Sequence, residues 1–222
     1  MALFGKGMLL VLNEVRRKDE PDFTEWYNRE HIDERIALPG FKRARRYVAV
    51  KGSPKFLATY ECSKVGDLAT PAYLALLANQ SPWSQRVMNR FTRFKRMTLR
   101  IQLDFTHGLG GALTVIRFEP RTRSRLIDWL RETLPRAVAM PGMVGAWAAE
   151  NDLEAANAPA EKQGFDYPRT EEAEWVVVLE SGDASAGEAA AKKLFAKATL
   201  KPFGIDKAPV VGSYRLLFTH QR

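Results

Sequence analysis

A single cysteine, Cys62, stands among 222 residues, which excludes an internal disulfide and suits a reducing compartment. Set in the apolar run FLATYEC, it reads as a small core residue, with a reactive thiol as the alternative. Only three histidines are present; His31 and Glu34 stand at an HxxE spacing, but no HxH or CxxC spacing and no second nearby histidine joins them into a metal-binding set. No apolar stretch is long enough to span a bilayer. The opening MALFGKGMLLVLNEV lacks the basic start and small-residue cleavage site of a secretory leader, and it alternates into Asn13 and Glu14 as a strand does. Gly-rich phosphate loops and RNP-like aromatic patterns are also missing. These absences point to a cytoplasmic protein that works on neither membranes nor nucleic acid.

Charge, by contrast, is plentiful and lopsided. The net +8 falls entirely within residues 1–110, and the remainder balances. A charge confined to one half implies a local task, such as attracting an anion. With 45% hydrophobic and 27% charged residues, the chain can bury one large core or two of half the length.

The chain is written twice. GMLLVLNEV (7–15) returns as GALTVIRFE (111–119), and DFTEWYNREHIDERIA (22–37) as SRLIDWLRETLPRAVA (124–139). Leu38-Pro39-Gly40 returns as Met140-Pro141-Gly142, and Asp104-Phe105-Thr106-His107 as Leu217-Phe218-Thr219-His220. In the first copy, periodicity predicts a strand at 7–15 and a helix at 21–37, with Pro21 in its first turn and Pro39-Gly40 as its stop. Strands at 41–50 and 55–62 come next, joined at Gly52-Ser53-Pro54, then one or two helices over 67–95 and a strand at 98–105. The second copy has strands near 111–119, 143–149, 174–180 and 210–218, with helices near 124–139 and 185–199. The expected fold class is therefore α+β: two ferredoxin-like β-α-β-β-α-β repeats, 1–109 and 110–222, laying their bare sheet faces together as an intrachain α/β barrel. A pocket between the two sheets is expected. The polar stretch 151–172, which replaces the short hairpin of the first copy, reads either as a flap anchored by Phe165 and Tyr167 or as a disordered excursion.

Trp26, then His31, then Leu38-Pro39-Gly40 carry a family resemblance. With the order of elements, they resemble the EthD-like branch of the dimeric α/β-barrel superfamily. That branch has an aromatic residue and a histidine on its first helix and a Leu-Pro-Gly entering its second strand. The pattern occurs in the first half only. The resemblance implies the barrel but leaves activity open, since the superfamily spans cofactor-free monooxygenases, lactone isomerases, polyketide cyclases, haem enzymes and proteins without known chemistry. Some members exchange edges with neighbouring copies, so a homodimer of intrachain pseudo-dimers is also open.

The repeat supplies an internal control. Matching Trp26 to Trp129 places Phe23 on Leu126, Tyr27 on Leu130, and Glu30, His31 and Glu34 on Thr133, Leu134 and Ala137. The second helix thus carries an ordinary core stripe, while the first has exchanged part of it for two carboxylates and an imidazole. Burying such groups without partners costs about 1–3 kcal/mol each. In one reading His31 faces a cavity as general acid or base, oriented by Glu30 or Glu34, with the Tyr27 hydroxyl in reach. In the other, His31 lies at the helix edge on a backbone carbonyl or on Glu34, and both glutamates are solvated.

Strand FKRARRYVAV puts Phe41, Arg43, Arg45 and Tyr47 on one face and Lys42, Ala44, Arg46 and Val48 on the other. Paired guanidinium groups beside a tyrosine suit a carboxylate or enolate, and Arg100 can join them; alternatively these arginines occupy the solvent end of the strand. PWSQRVMNRFTRFKRM reads as an apolar helical stripe (Trp83, Val87, Phe91, Phe94) with a solvated basic face rather than a phosphate-backbone reader. His107 and His220 occupy equivalent strand ends, which favours a shared structural role or a place flanking a cavity. The leading expectation is a cofactor-independent monooxygenase, isomerase or cyclase acting on a small anionic aromatic or polyketide-like compound. His31 would move the proton, Tyr27 and Glu34 would assist, and Arg43, Arg45, Tyr47, Arg100 and Trp26 would bind the substrate. The alternative is a non-catalytic protein that binds a small molecule or serves assembly.

Overall fold

GMLLVLNEV forms β1 (Gly7–Val15) and is apolar on both faces because both faces are covered. Met8, Leu10 and Leu12 point into one core and Leu9 and Val11 into another. The computed structural model describes residues 3–163 and 169–221. Seven further strands lie in this range: β2 (Phe41–Lys51), β3 (Phe56–Cys62), β4 (Phe91–Asp104), β5 (Ala112–Phe118), β6 (Met143–Asn151), β7 (Trp175–Ser181) and β8 (Val210–Gln221). They close into one barrel in the order β1-β3-β2-β8-β5-β7-β6-β4, with every neighbouring pair antiparallel. Strands before residue 105 stand in the order β4-β1-β3-β2 and those after it in the order β8-β5-β7-β6. The two runs meet where β2 pairs with β8 and β4 with β6.

The helices lie outside the barrel. Over β1–β4 pack α1 (Glu20–Trp26), a π-helical turn (Tyr27–His31), α2 (Ile32–Ile36), α3 (Pro71–Ala78) and α4 (Pro82–Met88). Over β5–β8 pack α5 (Arg123–Val138), α7 (Ala184–Leu194) and α8 (Lys197–Leu200), while α6 (Leu153–Gln163) sits beside β4 and α3. The first helical stretch stops at Gly40 and α5 at Gly142, both with positive φ, 91° and 78°. A side chain on Gly40 would also strike the Asp67 carboxylate, its Cβ falling 2.5 Å from Oδ2.

Three sequence expectations change. The pocket expected between the sheets is filled: Met8, Leu10, Leu99, Val115, Trp147 and Val178 pack there as core, as befits a small eight-stranded barrel. The helix expected to run to residue 95 ends at Met88, and Phe91–Met97 belong to β4, where they pair with β1 from Phe91↔Val15 onward. Phe, Thr and alternate charges suit a pleated edge better than a helix, and the ladder to β1 decides it. Finally, the stretch read as a flap or a disordered excursion, 151–172, contains helix α6. Its expected anchors, Phe165 and Tyr167, lie outside the described residues.

Candidate functional site

Phe23, Trp26 and Tyr27 bury the inner face of the first helical stretch against the outer face of β1–β3. Beyond Trp26 the helix widens into the π turn Tyr27–His31, a feature α5 lacks. Such turns insert one residue, rotate the side chains C-terminal to it about the helix axis, and cluster at functional sites. Here the insertion brings His31 against the sheet. Its ring lies 4.0 Å from the Trp26 ring, 4.9 Å from Tyr27 and 6.3 Å from Tyr60 on β3.

The two glutamates beside His31 have separate tasks. Glu30 accepts from Ser81 Oγ at 2.6 Å and Ser84 Oγ at 3.0 Å, and Ser84 Oγ accepts from Trp26 Nε1 at 2.9 Å. This chain fastens α4 to the first helix, so the Trp26 N–H is committed and only its ring faces a ligand. Glu34 accepts from Arg35 at 2.7 Å. Burial raises its carboxyl pKa, which Arg35 opposes and Glu30 reinforces.

A cavity of about 40 Å³ lies between helix and sheet, lined among others by Asn13, Tyr27, His31, Arg35, Tyr60 and Tyr73. Leu77, Met88, Phe91 and Phe94 form its apolar wall, and Arg96 stands at its edge. Three sealed polar atoms on this cavity have no hydrogen-bond partner: His31 Nδ1, Tyr60 Oη and Asn13 Oδ1. The Asn13 amide also donates to Tyr27 Oη at 3.3 Å. Orphaned buried polar groups are rare, and a polar cavity of this size holds an ordered water or a ligand oxygen. Burial, with the Arg35 and Arg46 charges behind it, drops the His31 pKa well below 6.5, so the imidazole is neutral at neutral pH and able to accept a proton. Burial also lifts Tyr27 and Tyr60 above the usual phenol range, so both are protonated donors.

The basic residues expected at this site lie elsewhere. Arg43, Arg45 and Tyr47 point to the opposite face of β2, inside the barrel. Arg43 Nε and Nη2 bond Glu61 at 2.7 and 2.9 Å, and Arg45 bonds Glu180 at 2.9 and 3.0 Å. Both guanidinium groups are neutralised by buried carboxylates, which leaves no charge for a substrate. Arg100 is half-exposed on Asp152, outside both sites. His107 and His220 part company as well. His220 Nδ1 lies 3.3 Å from Asp33, whereas His107 is exposed and its backbone N–H bonds Val144.

Sequence reading missed Asn13, Arg35, Arg46 and Tyr60. Arg46 sits 4.3 Å over the Tyr27 ring and bonds Asn28 at 2.7 Å. Its signal was a charge between Ala44 and Val48 on an otherwise apolar strand face. Among the described residues no group of three or more His, Cys, Asp or Glu is placed to hold a metal ion, and no helix is long and apolar enough to cross a membrane.

Comparison with family models and with curated proteins gives no match. Solved structures do match. An anthrone oxidase-like protein superposes with TM-score 0.67 at 12% identity, over 98% of this chain and 93% of its own. A candidate monooxygenase from Lactobacillus acidophilus NCFM gives 0.58 at 12% identity, over 97% and 96%. A candidate chlorite dismutase gives 0.56 at 14% identity, over 96% of each. At such identities the likeness establishes the fold. The chain is a closed eight-stranded antiparallel barrel with helices outside, of the kind formed by the dimeric α/β-barrel proteins.

Proposed function

We propose that this chain is an enzyme of the α/β-barrel type that moves a proton on a small aromatic or polyketide-like compound held between the first helix and the outer face of β1–β3. The carrying observation is the convergence of His31 Nδ1, Tyr60 Oη and Asn13 Oδ1, all buried and unpartnered, on one cavity. A substrate carbonyl or hydroxyl would supply the missing partners. Neutral His31 would take the proton from an acidic C–H or O–H, leaving the electron pair on the substrate as an enolate or phenolate. Tyr27 and Tyr60 would donate to the oxygen that gains charge, Glu34 would act through Arg35, and the Trp26 ring would form a wall. Arg43, Arg45, Tyr47 and Arg100 have no part in it. The names of two of these structures, an anthrone oxidase-like protein and a candidate monooxygenase, agree with such an activity.

The chain is further read as two ferredoxin-like repeats of the EthD-like kind, divided near residue 110. The matching strand orders of the two halves support this, as do the positive φ of Gly40 and Gly142. So does a repeated contact: Glu61 accepts from the Phe4 N–H at 3.0 Å and Glu180 from the Gly110 N–H at 3.2 Å.

A thermal-shift screen of phenols, anthrones and hydroxynaphthoquinones against wild type and His31→Ala tests the activity reading. Compounds that stabilise wild type should lose their effect in the variant and be consumed by wild type, as read by mass spectrometry. A hit profile indifferent to His31 removes the assignment. The second reading, a non-catalytic binding protein, is favoured by the cavity's volume of about 40 Å³, which admits water but no ring unless its walls move. It is adopted if every hit is recovered unchanged after prolonged incubation.

A further inference from the structure

The charges around the His31 cavity do not balance. Arg46 is 3% exposed, and its guanidinium lies 4.3 Å from the Tyr27 ring centroid and 5.6 Å from that of Phe23. Its hydrogen bonds go to neutral acceptors, the Asn28 side chain at 2.7 Å and the Thr24 carbonyl at 3.4 Å, and its Nη2 is buried without a partner. Arginine does not shed its proton, so a full positive charge is held there without a carboxylate. The other groups facing the cavity do not cancel it. Arg35 on α2 is matched by Glu34, while Glu30 is turned to Ser81 and Ser84. Arg96 on β4 stands at the edge, where it bonds the Tyr73 hydroxyl and the Ala156 carbonyl. His31, Tyr27, Tyr60 and Tyr73 are the remaining titratable groups on the wall.

A buried cation with no counter-charge is costly, and a bound anion relieves that cost. The three orphaned groups on the cavity suit an oxygen that carries charge. The Tyr60 hydroxyl donates, the His31 ring offers N–H in one tautomer, and the Asn13 amide presents N–H once its O and N are exchanged, an assignment set by the hydrogen-bond network alone.

We propose that the His31 cavity takes its ligand as an oxyanion, a phenolate or enolate, and that Arg46, acting across the Tyr27 ring, supplies the charge that holds it. This rests on the reading of the cavity as a ligand site. Arg46 touches no ligand in this arrangement and is a positioning charge. The charge of Arg46 favours ionisation of an acid beyond the Tyr27 ring, opposed by the burial that keeps Tyr27 and Tyr60 protonated.

The test uses 4-nitrophenol, whose neutral and ionised forms absorb at different wavelengths. It is titrated with the full-length protein below its own pKa, with tryptophan fluorescence reporting occupancy. The bound probe is expected to show more of the phenolate spectrum than the free probe at the same pH. Arg46→Lys should retain the phenolate spectrum, and Arg46→Met should bind the probe as the neutral phenol. Should Arg46→Met fail to fold, Arg46→Gln carries the same comparison. A neutral-phenol spectrum on wild type, with occupancy confirmed, overturns the oxyanion proposal and leaves the site assignment standing. Saturating probe that leaves fluorescence and spectrum unchanged removes the ligand site itself, and this proposal with it.

Discussion

Arg45 of β2 and Glu180 of β7 meet inside the barrel in a two-pronged ion pair, with nitrogen–oxygen distances of 2.9 and 3.0 Å. The partners are 135 residues apart in sequence and almost fully buried. Glu61 completes the group, bonded to Arg43 and 3.5 Å from Arg45. The first half thus supplies both arginines and one carboxylate, and the second half supplies the other carboxylate. The pairing fastens the two sheets to each other and keeps these arginines from acting on a ligand.

Removing one member of this group should be far worse than removing both. Glu180→Gln leaves Arg45 buried beside a neutral amide, and a loss of about 3–5 kcal/mol is expected in urea unfolding. Arg45→Met with Glu180→Leu removes the uncompensated charge, and the double variant should recover most of that loss. Additive losses would show that the two side chains do not interact as described.

His31 ties stability to pH. Its pKa in the folded chain lies below the 6.5 of a free imidazole, because burial and the Arg35 and Arg46 charges disfavour the proton. The unfolded chain therefore binds a proton more readily between 6.5 and the lower folded value. The contribution is fully present above 6.5 and is lost as pH falls toward that value, at up to about 1.4 kcal/mol per pH unit. His31→Leu removes the titrating group and keeps an apolar side chain of similar size. Its urea midpoint, compared with wild type at pH 7 and pH 5, should be less sensitive to acid. Equal acid sensitivity of the two proteins would place the His31 pKa near its ordinary value.

The chain from Trp26 through Ser84 to Glu30 fixes α4, which walls the cavity through Met88. Ser84→Ala leaves the indole N–H and one carboxylate lone pair unmet, for an expected loss of about 1–3 kcal/mol. Near-UV circular dichroism should report a looser Trp26 environment. An unaltered tryptophan signal with full stability would argue that water replaces the serine and that α4 is held by its apolar contacts alone.

Much of this architecture is legible in the residues. Periodicity and the Pro-Gly stops place all eight strands and most helices, because alternation and helix-ending chemistry are local properties. Phe91–Met97 escaped because a basic, aromatic segment is locally ambiguous, and only its pairing with β1 makes it strand. His31 and Glu34 among apolar residues pointed to the right helix, although the π turn shifts the register by one and sets Ile32 and Arg35, not His31 and Glu34, where the second copy has Leu134 and Ala137. The partners of His31 could not be read, since Tyr60 and Asn13 reach the cavity through strand order and not through sequence spacing. The arginines of β2 show the limit most clearly. Period-2 alternation correctly separates Arg43 and Arg45 from Arg46, but cannot say which face meets glutamates and which meets the cavity.

Tyr60 offers the sharpest separation of stability from binding. Its hydroxyl is buried beside that of Tyr27 and makes no hydrogen bond of ordinary geometry, so the folded chain without ligand carries much of the cost of removing it from water. Tyr60→Phe deletes the oxygen and keeps the ring that packs against His31 and Phe41. Stability should therefore hold or rise by about 1 kcal/mol, the opposite of the usual result of trimming a buried tyrosine. Ligand affinity should fall, because the donor that meets the ligand oxygen is gone, by about tenfold for a single hydrogen bond to a charged acceptor. Calorimetric titration of any screened ligand, beside thermal unfolding of both proteins, measures the two effects independently. A destabilised variant with unaltered affinity would mean that the hydroxyl bonds within the fold and that the cavity does not use it.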